Sequence, residues 1–223
     1  MTNPRGKKDI LSQTTISYLY QLFGEIEYGK YENLANKFLQ KGNETEEDGI
    51  KLCERVLDVG FLYKNHEKFE NDYIKGTPDV NTSDILIDVK SKWDFKTYCS
   101  VLFSDKIPDK SYYYQLQGYM WLTGKKECYL CYCLLNTPDQ LVEDEIYKLC
   151  RFNNVIDDKE MRFDVEKNHN FDNIEDAKRI KTFKIKYDQN VIDQFKTRID
   201  ECRLYYDHLK TYLDKHITIT ETI

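Results

Sequence analysis

The sequence predicts an α+β protein: a mixed central β-sheet flanked by helices, with a long C-terminal helix. Three observations predict it. Residues 72–80 and 84–90 read as extended runs around the polar turn Asn81-Thr82-Ser83, a composition that joins antiparallel strands. "ECYLCYCLL" and "RIKTFKIKY" read as two further strands, set among helical and polar stretches. After Asp188, the residues Ile192, Phe195, Ile199, Cys202, Tyr206, Leu209 and Leu213 recur at helical spacing and mark a long amphipathic helix.

In chain order, helical periodicity spans residues 12–39 and again 44–57, and the hairpin follows. Residues 93–103 read as an aromatic loop containing Trp93, Phe95, Tyr98 and Phe103. A helix near 111–122 then leads into the strand 128–135. Residues 136–176 read as polar and irregular up to the lysine-studded strand. No repeat, low-complexity tract or Pro/Gly/Ser linker divides the chain, so 1–223 reads as one domain.

Bulk properties exclude several classes. At 40% hydrophobic and 32% charged residues, the chain is globular and not disordered. Its apolar runs fall far short of a bilayer span, and no apolar stretch follows the basic start "MTNPRGKK", which predicts a cytosolic protein without membrane association. A net charge of −6 argues against non-specific coating by nucleic acid but leaves room for a local basic groove. Seven cysteines without a secretion signal read as reduced thiols. Cys128, Cys131 and Cys133 suggest a metal site, yet in a strand Cys128 and Cys131 face opposite ways. They read as core thiols.

The second run of the hairpin carries the chemistry. Ile85, Ile87 and Val89 share one face; Leu86, Asp88 and Lys90 share the other. Either that second face is wet, or its charges are held for a reaction. In the helix 44–57, Glu46, Ile50, Cys53 and Leu57 fall on one face, whereas Glu44, Glu47 and Asp48 do not. Glu46 therefore fits two compatible roles: the third position of a capping box with Asn43 as N-cap, or a site carboxylate. Asp79 also lies beside apolar scaffold. A buried carboxylate is costly unless it is paired or holds a cation. Three carboxylates and a lysine around one cleft describe a Mg²⁺ site for phosphodiester hydrolysis, since Mg²⁺ takes oxygen ligands and retains waters. The ion would lower the pKa of a bound water and neutralise phosphate charge, while Lys90 would orient that water or stabilise transition-state charge. Gly76, without a side chain, allows close approach of backbone or ligand.

These residues resemble the PD-(D/E)XK nuclease superfamily: "GTPD" is followed by "DVK", with Asp79, Asp88 and Lys90 in the marked positions. "KGNETEE" is similar to the G-x-x-x-E helix motif of phage lambda exonuclease and YqaJ-type viral recombinases, at Gly42 and Glu46. "YYYQLQGYMWLTG" contains Gln115-x-x-x-Tyr119, similar to the Q-x-x-x-Y motif of RecB-like nucleases. "IEDAKRIKTFKIKYD" and the helix after it also look like phage members, so the resemblance covers about residues 42–213. It implies a restriction-endonuclease-like core in which Glu46, Asp79, Asp88 and the Val89 carbonyl bind Mg²⁺, with Mn²⁺ as a substitute. Lys90 would serve the attacking water, and Gln115 and Tyr119 would contact Lys90, that water or a DNA phosphate. Taken without the other motifs, Gln115 and Tyr119 read rather as a helix face packed on the sheet. Two features depart from the pattern. Asp88 stands where many relatives carry Glu, and only Cys202 lies late in the chain, so the iron–sulfur cluster of some relatives is not expected.

The resemblance further implies a Mg²⁺-dependent deoxyribonuclease, an exonuclease that resects double-stranded DNA ends in phage-type recombination. It implies a single-strand annealing protein as partner and a ring-shaped homotrimer. A structure-specific or CRISPR-associated RecB-like nuclease is one alternative. A non-catalytic DNA-end-binding or adaptor protein is another, against which the intact Glu46/Asp79/Asp88/Lys90 set argues. Lys178, Arg179, Lys181, Lys184 and Lys186 fit phosphate contacts or, equally, lysines protecting an edge strand. The aromatic stretch 93–103 fits stacking on a DNA end or core packing.

Overall fold

The computed structural model describes residues 10–31 and 36–216. Their fold is α+β with a mixed four-stranded sheet, and the chain divides into two compact units, Ala35–Asp188 and Met1–Leu34 with Gln189–Ile223.

Helix α1 (Gln13–Tyr28) is capped by the Ser12 side chain and ends at Gly29, whose φ of 62° is the left-handed conformation glycine adopts without strain. The helix expected over 12–39 is thereby interrupted; its residues 32–35 lie outside the described residues. Helix α2 (Lys37–Glu44) starts afresh on Asn36, whose side chain accepts from the Phe38 and Leu39 amides. Helix α3 (Glu46–Leu57) follows after Thr45 alone. Thr45 serves both helices, because its amide donates to the Lys41 carbonyl and its carbonyl accepts from the Gly49 amide. Asn43 therefore lies within α2 and is not the expected cap, and Glu46 is the first residue of α3 instead of its third.

β1 (Phe69–Glu70) and β2 (Lys75–Gly76) form a separate antiparallel pair. β3 (Val80–Asn81) turns into β4 (Leu86–Lys92), with Val80 opposite Ile87 and Asn81 opposite Leu86. The first arm of the expected hairpin is thus split, with Pro78, which has no amide to donate, between its parts. Residues 93–103 are a helix and not the expected loop: α4 (Phe95–Leu102) starts on a reciprocal capping box between Asp94 and Thr97. That cap outweighs the aromatic composition. Trp93 and Tyr98 are core, whereas Phe95 and Phe103 are exposed. Helix α5 (Lys110–Thr123) leads to β5 (Glu127–Leu134), parallel to β4.

The segment 136–176, expected to be irregular, contains α6 (Asp139–Phe152) and α7 (Lys159–His169). Val142, Ile146 and Cys150 pack with Val165, and Met161 lies against them. A stripe this narrow suffices for a helical hairpin, so the polar remainder hid it. β6 (Ile180–Lys186) pairs antiparallel to β5, giving the order β3-β4-β5-β6. Helix α8 (Gln189–His216) lies in the other unit beside α1, joined through Phe23–Tyr206, Tyr20–Tyr205 and the Glu27–Lys210 ion pair. Among the described residues, no helix is long and apolar enough to cross a membrane.

The two faces of the sheet separate as strand alternation requires. Ile85, Ile87 and Val89 pack with Ile50, Leu52 and Cys53 of α3 and with Cys131 and Cys133. Leu86 packs on the other face with Leu116 and Met120 of α5, and with Cys128, Leu130 and Tyr132. Lys41, fully buried, donates to the Trp93 carbonyl and the Thr137 hydroxyl at 2.9 Å each, fastening α2 to the end of β4.

Gly49 sets how closely α3 approaches β4. A Cβ there would stand 2.5 Å from Val89 Cγ1, a stiff branched side chain with little room to yield. Gly49→Val is expected to destabilise the protein by about 1–3 kcal/mol through overpacking, measured by urea unfolding. An unchanged midpoint would show that α3 moves freely on the sheet.

Candidate active site

Strand β4 delivers two charges to the face that meets α5. Asp88 is fully buried, and Lys90 Nζ stands 2.8 Å from its Oδ2. At that distance the Lys90 ammonium is the charge partner of the Asp88 carboxylate. Among the described residues, no donor other than Lys90 reaches either Asp88 oxygen. The Lys90 ammonium also lies 5.0 Å over the Tyr112 ring.

Asp79 enters just before β3. Its Oδ2 accepts from the Val89 amide at 2.7 Å, and its backbone carbonyl accepts from the Asn65 amide at 2.7 Å. The Asn65 side chain donates to the Pro78 carbonyl at 3.0 Å and the Glu67 carbonyl at 2.9 Å. Asn65 thus clamps the Pro78–Asp79 turn to the segment after α3. Glu46, in the first turn of α3, pairs with Lys64 of that same segment at 3.2 Å.

The electrostatics record how closely these groups gather. Burial, then the Asp88 charge, pushes the Asp79 carboxyl up to about 7, against the Val89 hydrogen bond and Lys90, which lower it; Glu46 adds to the rise. Burial likewise raises Asp88, opposed by Lys90 and reinforced by Glu46. At Lys90, burial works to lower the ammonium's pKa, but the Asp88 carboxylate outweighs it and the net shift is upward.

Helix α5 contributes the remaining pair. Gln115 Nε2 donates to the Tyr119 hydroxyl at 3.0 Å, across the one helical turn that separates them. Burial and the Asp88 and Asp79 charges raise the Tyr119 phenol. The Tyr119 ring occupies the space that Gly76 leaves free: a Cβ at Gly76 would stand 2.6 Å from its Cε1. That glycine admits a protein ring from α5.

Glu46, Asp79, Asp88, Lys90 and Tyr119 therefore act on one another, with Gln115 joined through Tyr119. Val89 offers its amide to Asp79 and its side chain to α3. Among the described residues, no three His, Cys, Asp or Glu groups already stand in metal-binding geometry. Glu46 is held by Lys64 and Asp88 by Lys90. The residues nevertheless fit a hard divalent cation. Two neighbouring carboxyls raised by burial and repulsion, one with Lys90 as its only partner, form an all-oxygen donor set that gains from an ion.

The basic residues in and just before β6 are not brought to these acids, because β5 lies between β6 and β4. Arg179 pairs with Asp176, Lys178 with Glu175 at 3.0 Å and Lys184 with Glu127 at 2.7 Å. Lys181 lies over the Phe183 ring, and Lys186 is exposed. β6 ends the sheet, and paired lysines suit the protection of an edge. A hollow of about 400 Å³ lined by Asn136, Thr137, Phe163 and His169 also lies apart, bordered by none of the site acids. The sequence reading missed Lys64, Asn65 and Tyr112. Residues 59–68 have no periodicity, so nothing local marks the clamp.

No family model matches the chain, and no curated protein sequence does. Solved structures do. A phage-related exonuclease from Haemophilus somnus 129PT is 29% identical, with a TM-score of 0.75 over 95% of this chain and 91% of that one. An alkaline exonuclease from Laribacter hongkongensis (LHK-Exo) has a TM-score of 0.61 at 15% identity, over 92% of this chain and 85% of that one. LHK-Exo in complex with dAMP gives 0.59 at 18% identity, over 90% and 85%. With that likeness running through nearly the whole of both chains, the chain has the fold of these phage-related and alkaline exonucleases, which supports a PD-(D/E)XK nuclease of the phage lambda exonuclease and YqaJ type.

Proposed function

We propose that the chain is a Mg²⁺-dependent deoxyribonuclease, an exonuclease that resects double-stranded DNA from its ends, with Mn²⁺ able to replace Mg²⁺. The observation that carries this reading is the pair of buried carboxyls: Asp88, fully buried against Lys90 at 2.8 Å, raises the neighbouring Asp79 carboxyl by its charge. Two neighbouring buried carboxyls that share one lysine retain excess negative charge, which costs stability unless a further cation compensates it. The solved relatives named as exonucleases, one of them in complex with dAMP, support the substrate class.

In this reading Glu46, Asp79, Asp88 and the Val89 carbonyl hold the ion. When bound, the ion supplies an activated water and charge neutralisation at the scissile phosphate. The protein's own groups do the positioning. Lys90 keeps its proton, because the Asp88 carboxylate raises its pKa. It would act as a positive charge on the attacked phosphate and as a donor to the attacking water. Tyr119 also stays protonated and, oriented by Gln115, presents a hydroxyl to the same place. The Val89 amide and the Asn65 clamp hold Asp79 in register, so its carboxylate needs no rearrangement on metal binding. The reading extends, by resemblance, to one nuclease domain in the cytosol of a bacterial or phage-infected cell. It also includes a ring of three copies and a single-strand annealing partner that receives the product.

Linear and circular duplex DNA, labelled at either end and incubated with Mg²⁺ or EDTA, tests it. Loss of label from linear DNA in Mg²⁺, with circles spared and EDTA blocking the reaction, is the expected outcome. Equal attack on circles would make the enzyme an endonuclease. No cleavage in Mg²⁺ or Mn²⁺ would end the nuclease reading.

A further inference from the structure

Asp88 and Lys90 are not the last charges on their face of β4. Alternation places Lys92 two residues on, on the same side. Its ammonium stands 4.7 Å over the Tyr132 ring, as Lys90 stands over Tyr112, and those two rings meet edge to face at 6.1 Å. The two lysines thus run along one aromatic wall. They differ in what they face. Lys90 is neutralised by Asp88, whereas among the described residues Lys92 makes no hydrogen bond or ion pair. The N-cap Asp109 of α5 is a charge that acts on it from a distance, and the Asp109 carboxylate is already engaged by the Ser111 amide at 2.8 Å. Half-buried and without an ion pair, a lysine in this position loses solvation that the Tyr132 ring and the distant Asp109 offset only in part. Burial accordingly lowers its pKa.

We propose that Lys92 binds the DNA backbone phosphate next to the scissile one, making it a positioning residue that sets which bond lies at the acids. The inference rests on the nuclease reading and adds a ligand that reading does not assign. Residues two apart in a strand are about 6.6 Å apart, comparable to one nucleotide step along a sugar–phosphate chain. A phosphodiester at Lys92 supplies the missing counter-charge from the ligand side. With Lys90 at one phosphate and Lys92 at its neighbour, the bound strand must run along β4. The acids then meet the chain at a fixed bond instead of sliding over it.

The test uses the full chain and a short duplex bearing a single uncharged methylphosphonate one nucleotide from the first scissile bond, on either side. Single-turnover cleavage in Mg²⁺ is followed for wild type, Lys92→Gln and Lys92→Arg, with thermal unfolding to verify each fold. Lys92→Gln is expected to raise the DNA concentration needed for half-maximal rate about tenfold, with a smaller effect on the rate at saturation. The salt dependence of binding should flatten by about one phosphate's worth. Methylphosphonate on one side should impose the same loss on wild type and no further loss on Lys92→Gln, while Lys92→Arg retains most of the affinity. If Lys92→Gln binds and cleaves as wild type does, or if the two losses multiply on both sides, the assignment is wrong. Should wild type leave unmodified DNA intact, the nuclease reading itself fails, and this inference with it.

Discussion

Lys90→Ala is expected to slow cleavage about a hundred- to a thousandfold at saturating DNA, the usual effect of removing one preorganised donor from a developing charge. DNA affinity should change little, since Asp88 already neutralises the Lys90 charge and leaves it little net attraction for the DNA backbone. The asymmetry follows from the position of the ammonium: 2.8 Å from Asp88, largely shielded and held against Tyr112. It is preorganised for one atom of the substrate and unavailable to the rest. Lys90→Arg should fail as well, because a planar guanidinium cannot occupy the point between Asp88 and the ring. Variants at Lys184, already paired with Glu127, should leave single-turnover chemistry intact. Rapid-quench kinetics at saturating DNA decides the matter. A near wild-type rate for Lys90→Ala would reduce this lysine to a structural counter-charge for Asp88.

Asp88→Asn is expected to abolish cleavage while making the metal-free protein more stable at pH 8. Both site aspartates have folded-state pKa values above their unfolded ones, for Asp79 about 7 against 3.8. A raised carboxyl binds its proton more tightly in the folded state. Its contribution to stability is therefore fully present below about pH 4 and is lost as pH rises through about 7. Thermal scans in EDTA should show melting temperature falling across that window from this pair, a loss on the order of a few kcal/mol. Asp88→Asn removes one charge and with it much of the repulsion on Asp79, so its profile should be flatter. Asp176, held down to about 2 by Arg55 and then Arg179, contributes with the opposite sign, but only below pH 4. Protons and cations compete for the same oxygens, so Mn²⁺ affinity measured by calorimetry should weaken below about pH 7. Undiminished Mn²⁺ binding by Asp79→Ala/Asp88→Ala protein would remove the metal from this site altogether.

What the sequence alone determined is what local periodicity encodes. Alternation in residues 84–90 separated Ile85, Ile87 and Val89 from Asp88 and Lys90, and those residues do face opposite cores. The same alternation put Cys128 and Cys131 on opposite faces, and i, i+4 spacing joined Gln115 to Tyr119. Side-chain direction in a strand or helix follows from backbone geometry, so a single segment carries that information. Where a segment's end or packing depends on a distant partner, the sequence could not supply it. Thr45 serves two helices at once, which moved Glu46 from the third position of a helix to the first. Glu46 reaches Asp79 and Asp88 because Gly49 lets α3 close on Val89, and Asp79 keeps its place because Asn65 grips the Pro78 carbonyl. Gly76 looked like room for a ligand until α5 laid Tyr119 against it. The sequence left the cations at 178–186 open between phosphate contacts and protection of an edge strand, and only folding shows that Arg179, Lys178 and Lys184 pair with acids. In each of these cases the deciding contact joins residues far apart in the chain or on different elements. Electrostatic and steric terms depend on distance in space, which only the tertiary fold fixes.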